Sequence, residues 1–251
     1  MKRLASGTIA LAFGALVFGV AGARAQQAAT TPAAAQQQQD TRPGLAVLDF
    51  EMGLTLGQPR DDYDALRRGL ASLTVSEVAA NPGVRVVERA QLQQILQEQN
   101  LGHEGRVDSM SLARIGKLIG ARYMVTGTLY DNHGNLRIDT RLFDVETSQI
   151  LKTESVRGKW DDLYDMVPRL AEQLMHDASL PPLERHAMDE FRQANPAPPT
   201  QAVMAYSRAV LYADRGDTQH AVEQYKRALA AFPNYTQAKT DCNRLQAGAC
   251  S

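Results

Sequence analysis

The sequence predicts an α+β protein: a mixed sheet with an antiparallel meander, flanked by helices and followed by a short all-α tail. Two observations support this class. Up to about Ala178, short apolar or alternating runs typical of strands are interleaved with segments whose apolar residues recur every three or four positions, as in amphipathic helices. Beyond Pro199 only the helical spacing recurs.

The first 25 residues have the layout of a signal peptide. Lys2 and Arg3 precede an uncharged stretch, and Ala23-Arg24-Ala25 supplies the small residues of a cleavage site. We expect cleavage after Ala25 and a periplasmic mature protein without a transmembrane segment. A membrane anchor is the alternative, but the stretch is rich in glycine and alanine and therefore only weakly apolar.

Residues 26–43 are rich in Gln, Ala, Thr and Pro and lack large apolar side chains, so we expect a disordered linker. The whole chain has 27 basic and 28 acidic residues. Without the three basic residues of the signal peptide, 24 basic residues face 28 acidic ones and the formal net charge falls from -1 to -4. This balance gives no basic footprint for nucleic acid, so none is expected as a partner.

The first predicted strand is the near-continuous apolar run Leu45–Phe50, which is typical of a strand buried on both faces. A helix follows and ends near Asn81-Pro82-Gly83. Asp61, Asp62 and Asp64 lie at its start, where carboxylates favour the positive end of the helix dipole. We expect them to cap this helix rather than to form a calcium loop, because the central glycine and closing glutamate of such a loop are missing.

The next elements alternate in the same way. Residues 84–87 form a short strand, and a helix runs from Arg89 to about Asn100. A third helix begins at Asp108-Ser109 and stops at Gly120, a residue common at helix ends.

Three strands then form the predicted meander: residues 123–130, 136–142 and 149–156. The first turn contains Asp, Asn, His and Gly, which tolerate positive φ. The middle strand alternates apolar with charged side chains, so one face is expected in water. A last amphipathic helix contains Leu163, Leu170 and Leu174.

Taken together, several of these segments resemble the curli assembly/transport (CsgG-like) family. The resemblance rests on Leu45–Phe50, Val86–Arg89, Gln94–Gln99, Gly120–Leu129 and Arg141–Thr147. It implies a CsgG-like domain over residues 44–178 whose relatives bind partner proteins in envelope assemblies.

The resemblance also implies a difference from the curli secretion pore, which is a lipoprotein that inserts two β-hairpins per subunit into the outer membrane. This chain has no cysteine near the cleavage point to carry a lipid. The short connections after Leu129 and Val156 leave no room for membrane hairpins. We therefore expect a member that forms no pore.

Arg89 and Glu98 are charged residues within the matched segments. One interpretation makes them a contact with a partner or with another copy of the chain. The other, which the sequence favours, makes them part of an interhelical ion pair or a helix cap.

Residues 179–199 contain several prolines and are predicted to form a semi-rigid connector to a helical segment over 200–251. Small, aromatic, turn and terminating residues in this segment resemble one tetratricopeptide repeat (TPR): Ala209, Tyr212, Gly216, Ala221, Tyr225, Ala228 and Pro233. Because one repeat cannot bury its own face, something must cover it. The options are the helix at 235–246, the α/β domain, a second copy and a partner peptide, and Tyr212 and Tyr225 are the candidate partner contacts.

Cys242 and Cys250 are the only cysteines. An oxidising compartment permits a disulfide, but on one unbroken helix the two Cα atoms would lie about 12 Å apart, too far to bridge. Gly248 could end the helix and fold Cys250 back. An intramolecular disulfide, an intermolecular bond and two free thiols all remain open.

No pattern predicts catalysis. The five histidines are scattered without metal-ligand spacing, and neither a glycine-rich phosphate loop nor a nucleophile elbow occurs. We expect no catalytic residue, metal or cofactor. The sequence favours a non-enzymatic periplasmic adaptor of envelope assembly or secretion, whose partners are envelope proteins or further copies of itself.

The alternative is a periplasmic module that binds a small envelope ligand or a peptidoglycan fragment. The adaptor hypothesis predicts co-purifying protein partners and no deep pocket. The alternative predicts a polar-lined cavity and thermal stabilisation by the ligand.

Overall fold

A computed structural model describes residues 40–99, 108–180 and 197–250. The predicted signal peptide, most of the predicted linker at 26–43 and most of the connector at 179–199 lie outside these ranges. Residues Asp40–Ser251 form one unit by their contacts.

The chain forms six strands and seven α-helices within the described ranges. The strands are β1 (Gly44–Val47), β2 (Glu51–Leu56), β3 (Arg85–Val86), β4 (Tyr123–Asn132), β5 (Asn135–Asp144) and β6 (Gln149–Lys159). The helices are α1 (Arg60–Ala79), α2 (Arg89–Glu98), α3 (Ser109–Leu118), α4 (Leu163–Asp177), α5 (Thr200–Asp214), α6 (Thr218–Ala231) and α7 (Thr236–Leu245).

The six strands form one mixed sheet in the order β3-β1-β4-β5-β6, and β2 also pairs with β4. The pairs β1–β3, β1–β4 and β2–β4 are parallel. β4, β5 and β6 form an antiparallel meander. The predicted α+β class, with a mixed sheet, a meander and flanking helices, is therefore confirmed.

Strand β1 is buried along its whole length, as its apolar run predicts. β2 was not predicted, because Glu51–Leu56 contains a glycine, is partly exposed and lacks a clear alternation. Its glycine has a packing role: a Cβ on Gly53 would lie 2.3 Å from the Tyr130 ring on the neighbouring strand. Such a close approach requires a residue without a side chain.

The first turn of α1 differs from the prediction. Asp61 and Asp62 lie in that turn, but no side chain caps the helix, and Pro59 is the N-cap residue. Asp62 instead accepts hydrogen bonds from Arg208 of α5, at 2.6 and 3.0 Å. Asp61 and Asp62 thus lie at the positive end of the helix, as expected, but the expected side-chain cap is absent, because Asp62 pairs with an arginine from elsewhere in the fold. Asp108 is a true N-cap, since it accepts from the two backbone N–H groups of Met110 and Ser111.

The turn between β4 and β5 follows its sequence. His133 and Gly134 have φ values of 49° and 86°, in the left-handed region that this turn chemistry permits. Along β5, Leu136 and Ile138 are buried whereas Arg137 is exposed. The predicted water-facing side of the middle strand is thus confirmed.

Helices cover both faces of the sheet and divide the core into two clusters. On one face, α2 and α3 pack over the sheet through residues such as Leu92 and Ile115. On the other face, the cluster contains residues of α1 and α4 and continues without interruption into the C-terminal helices.

The C-terminal helices pack on α1. At the closest point, a Cβ placed on Gly69 of α1 would lie 1.8 Å from Ser207 Oγ of α5. Helices α5 and α6 are joined at Gly216, which has a φ of 74°. The tail's buried face is therefore covered within the chain by α1, while its assignment as a TPR stays a prediction.

A tyrosine cluster fills the interior of the tail. The rings of Tyr225 and Tyr235 lie 5.9 and 5.2 Å from that of Tyr206, measured between centroids. Beyond α7, Gly248 has a φ of 75° and the chain turns back. Cys242 and Cys250 form a disulfide, with Cα atoms 6.0 Å apart.

Candidate functional site

The charged residue singled out from the sequence, Arg89, lies at the junction between the sheet and the tail. It is the first residue of α2, and its guanidinium binds Asp214, the last residue of α5, through two parallel hydrogen bonds of 2.7 Å each. It also donates to Oδ1 of Asp49, which follows β1, at 2.8 and 3.2 Å. Bidentate arginine–carboxylate pairs are among the strongest hydrogen-bonded contacts in proteins.

A second arginine completes this network from α1. Arg68 Nη1 donates to Asp64 Oδ1 at 2.7 Å, and Arg68 Nε lies 3.2 Å from Asp214 Oδ2 and 3.8 Å from Asp49 Oδ2. Arg68 and Arg89 thus share two carboxylates, and we call these five residues the junction network. The network joins β1, α1 and α2 to the end of α5.

Burial and pairing have opposite effects on Arg89. Removal from water lowers the pKa of its guanidinium, but hydrogen bonding to Asp214 and the charge of Asp49 outweigh this and raise the pKa above its usual value. The side chain is 14% exposed. Arg89 therefore stays charged and works as a fixed structural cation rather than as an acid or base.

A cavity of about 290 Å³ lies beside the junction network. Its walls come from α1, the start of α2, and α5, α6 and α7. Val75, Val210, Ala213 and Leu245 give it apolar surface. Its polar walls include Glu88, Arg89, Asp214, Tyr225, Asp241 and Arg244.

Asp241 is the most enclosed carboxylate of this cavity outside the junction network. Its Oδ2 accepts hydrogen bonds from the Tyr206 hydroxyl at 2.8 Å and from Gln237 Nε2 at 3.0 Å. Burial raises the pKa of Asp241, although these two hydrogen bonds oppose the rise. At the mouth, Arg244 Nη1 lies 3.2 Å from Glu88 Oε2 and 3.6 Å from Asp241 Oδ1.

Tyr225 is 3% exposed and lines the same cavity. Among the described residues its hydroxyl has no hydrogen-bond partner. Burial raises the pKa of Tyr225, and the charge of Asp241 raises it further. The hydroxyl therefore stays protonated and can both donate and accept.

The structure brings together only two of the four predicted contact residues. Arg89 and Tyr225 line one cavity. Glu98 lies at the far end of α2, where it accepts a hydrogen bond from Gln94 at 2.9 Å. The Tyr212 ring stacks on His220, with centroids 5.2 Å apart.

Asp214, Asp241 and Arg68 are functional candidates that the sequence does not reveal. Asp49 stands within a matched segment, but nothing beside it in the sequence points to Arg89. Asp214 is 125 residues from Arg89, so no local spacing could pair them. Across the described ranges, no group of three or more His, Cys, Asp or Glu side chains is arranged to hold a metal ion. No helix in these ranges is both long and apolar enough to cross a membrane.

The fold and this site define a class: a mixed α/β domain whose C-terminal helices are held to it by partly buried ion pairs, with a polar cleft at the junction. Residues 25–137 match the family model described as "Curli production assembly/transport component CsgG". The match extends from before β1 to the start of β5 and includes Asp49, Arg68 and Arg89. The predicted resemblance to this family is therefore confirmed over these residues.

Curated relatives include the Tol-Pal system protein TolB of Pseudomonas putida, which is 35% identical over 75 residues, 30% of this chain and 17% of that protein. TolB of Pseudomonas aeruginosa is 35% identical over 78 residues, 31% of this chain and 18% of that protein. The chain thus spans less than a fifth of the length of these relatives.

Among solved structures, the LpoB C-terminal domain from Escherichia coli is 18% identical, with a TM-score of 0.36, over 47% of this chain and 82% of that chain. The PelC dodecamer from Paraburkholderia phytofirmans is 13% identical, with a TM-score of 0.30, over 56% of this chain and 89% of that chain. These distant likenesses carry no argument about function.

Proposed function

We propose that this protein is a non-enzymatic interaction protein, an adaptor that acts in the periplasm during envelope assembly or secretion. The CsgG-family domain and the partial similarity to a Tol-Pal system protein support an envelope role. The signal-peptide pattern of residues 1–25 supports export to the periplasm. The partners are envelope proteins, and further copies of this chain are an additional candidate.

The observation that carries this proposal is the junction network. Arg89 of the matched segment, which Asp49 orients, holds the end of α5 through a partly buried ion pair. The tail is thereby fixed against α1 and α2, and a cleft with charged walls forms between them. A rigid surface of this kind favours binding, because its groups are ordered before the partner arrives.

The proposal is tested by site-specific photo-cross-linking of the full chain in its own envelope. A truncation at Thr200 would be uninformative, because it exposes the buried face of α1. We place a photoreactive amino acid at Gln93, which lines the cleft, and as a matched control at Met110, which is 83% exposed on α3. We expect a discrete cross-linked protein from position 93 that an excess of the unmodified chain competes away. Cross-linking that is identical at both positions, or resistant to competition, would contradict the proposal.

A second function is favoured by the cavity itself. Its volume of about 290 Å³ and its polar walls match the expectation for a module that binds a small envelope ligand or a peptidoglycan fragment. The volume is at the lower limit of pockets that enclose drug-sized ligands. The test is thermal stabilisation of the mature chain by soluble peptidoglycan fragments, with the Asp241→Asn variant as control. Stabilisation of the parent chain alone would favour this second function over the adaptor.

A further inference from the structure

We propose that the cleft beside the junction network binds a primary ammonium group on an aliphatic stem, as presented by a lysine side chain of a partner protein. The inference deepens the proposed function and rests on it, since it assigns the cleft to partner recognition. It specifies the chemistry of the group that the cleft accepts.

The cleft contains two oxygen atoms that its own side chains leave available. Asp241 Oδ2 is occupied by Tyr206 and Gln237, but Oδ1 has no closer cation than Arg244, at 3.6 Å. The Tyr225 hydroxyl lines the same cavity and has no hydrogen-bond partner among the described residues, although only 3% of the residue is exposed. Neither oxygen is among the fully buried side-chain atoms that lack a partner, so both are open to the cavity and can accept a hydrogen bond from an incoming donor.

The cavity has room and apolar surface for the stem of a lysine side chain. Its apolar surface comes from Val75, Val210, Ala213 and Leu245, which suits the methylene stem of lysine. The ammonium head has three donors and no acceptor. Together with Asp241 Oδ1 and the Tyr225 hydroxyl, the Glu88 carboxylate supplies a third acceptor at the mouth. Three separate oxygens suit a compact ammonium better than the planar fork of a guanidinium.

Arg244 occupies the mouth of the cleft and supplies a cation from the chain itself. The side chains of Arg244 and Glu88 are 56% and 68% exposed, so their ion pair is weak and easily displaced. Arg244 therefore holds the place of a partner's cation. Its removal leaves two carboxylates to be neutralised and should strengthen the binding of an external ammonium group.

The test uses the mature full-length chain and a pair of small probes. Nα-acetyl-lysine amide carries the ammonium group, and Nα,Nε-diacetyl-lysine amide keeps the stem but not the charge. Binding is followed by chemical-shift changes of backbone amides in NMR titrations. We expect the charged probe to shift amides of Gln93, Gln237 and Arg244, and the acetylated probe to leave them unchanged.

Substitutions then act in opposite directions. Asp241→Asn keeps the size of the side chain and should weaken binding of the charged probe about tenfold, whereas Arg244→Ala should strengthen it about threefold or more. Arg227→Ala is the matched control, because it removes an exposed arginine of the same tail that does not line the cleft. It should leave the probe affinity unchanged.

Several results would overturn the inference. These are shifts by both probes alike, equal affinity in Asp241→Asn, tighter binding of Nα-acetyl-arginine amide, or no shift at cleft amides even in Arg244→Ala. Near-UV circular dichroism establishes that each variant is folded. Because the probes require no partner, failure here with successful cross-linking at position 93 would refute the ammonium assignment and leave the adaptor proposal standing. Probe binding without any cross-linking at position 93 would refute the adaptor proposal and leave the ammonium assignment standing.

Discussion

Replacement of Asp214 by alanine tests whether the junction network holds the tail on the α/β domain. Asp214 accepts two hydrogen bonds of 2.7 Å from Arg89 and lies 3.2 Å from Arg68. Removing one partner from a buried pair costs about 3–5 kcal/mol when the remaining charge is left alone. Here Arg89 keeps Asp49 and Arg68 keeps Asp64, so we expect a smaller cost, roughly 2–3 kcal/mol.

The assay is urea unfolding of the mature chain, together with its melting temperature. For a body of this size, 1 kcal/mol shifts the melting temperature by about 2–4 °C, which gives a decrease of about 4–12 °C. Asp214→Asn keeps the shape but loses the charge and should fall between the parent and Asp214→Ala. Glu223→Ala is the matched control, because it removes an exposed carboxylate from the same tail.

Hydrogen exchange locates the effect. In Asp214→Ala we expect amides of α5 to lose protection while those of β4 keep it. The reasoning is refuted if Asp214→Ala and Glu223→Ala agree within about 0.5 kcal/mol, the usual range of neutral surface changes.

Three further predictions follow from the packing and the charges. Gly69→Ala should destabilise the protein by about 1–3 kcal/mol in urea unfolding, because its Cβ would lie 1.8 Å from Ser207 Oγ, and adding Ser207→Gly should restore stability. A stabilised Gly69→Ala variant would show that α1 and α5 are not in contact. Reducing the Cys242–Cys250 disulfide, whose cysteines are 8 residues apart in sequence, should lower the free energy of unfolding by about 2–3 kcal/mol, measured as a lower melting temperature with reductant. An unchanged melting temperature would contradict this prediction. Because the pKa of Asp241 is raised above its usual value of 3.8, the folded state binds the proton of this group more readily than the unfolded chain does. The contribution of Asp241 to stability therefore falls as pH rises from about 4 through the folded pKa. Compared with Asp241→Asn, the parent should lose stability between pH 4 and pH 7, and parallel curves of stability against pH would contradict this prediction.

The sequence predicted most elements because their periodicity records which side of each segment is buried. β1, the meander and α4 all followed from apolar runs or spacings. The strand β2 escaped prediction because its pairing with β4 depends on backbone hydrogen bonds and on a glycine under a neighbouring ring, neither of which leaves a hydrophobic pattern.

The aspartates at the start of α1 show a second limit. A carboxylate in a first helical turn predicts capping from local chemistry alone. Asp62 pairs instead with Arg208, which is 146 residues away, and Asp64 pairs with Arg67 and Arg68 of its own helix. Local rules cannot weigh such competitors, because their proximity depends on how α5 packs on α1.

For the candidate site, the sequence singled out Arg89 and Tyr225 but not the groups that give them a role. Arg89 was found through its matched segment and Tyr225 through the spacing of the tail. Asp214 is the last residue of α5 and Asp241 lies in the middle of α7, and both helices meet these residues only after folding. No spacing in the sequence predicts that these residues become neighbours in the fold.

The sequence by itself determined the class of fold and the CsgG-like character of the domain, because both depend on patterns within single segments. Only the tertiary structure decided that α1 covers the tail, that Asp49 and Asp214 share Arg89, and that a cleft opens beside them. The physical reason is the same in each case. Periodicity specifies that a face must be buried, whereas the partner that buries it is selected by packing and charge between segments far apart in the chain.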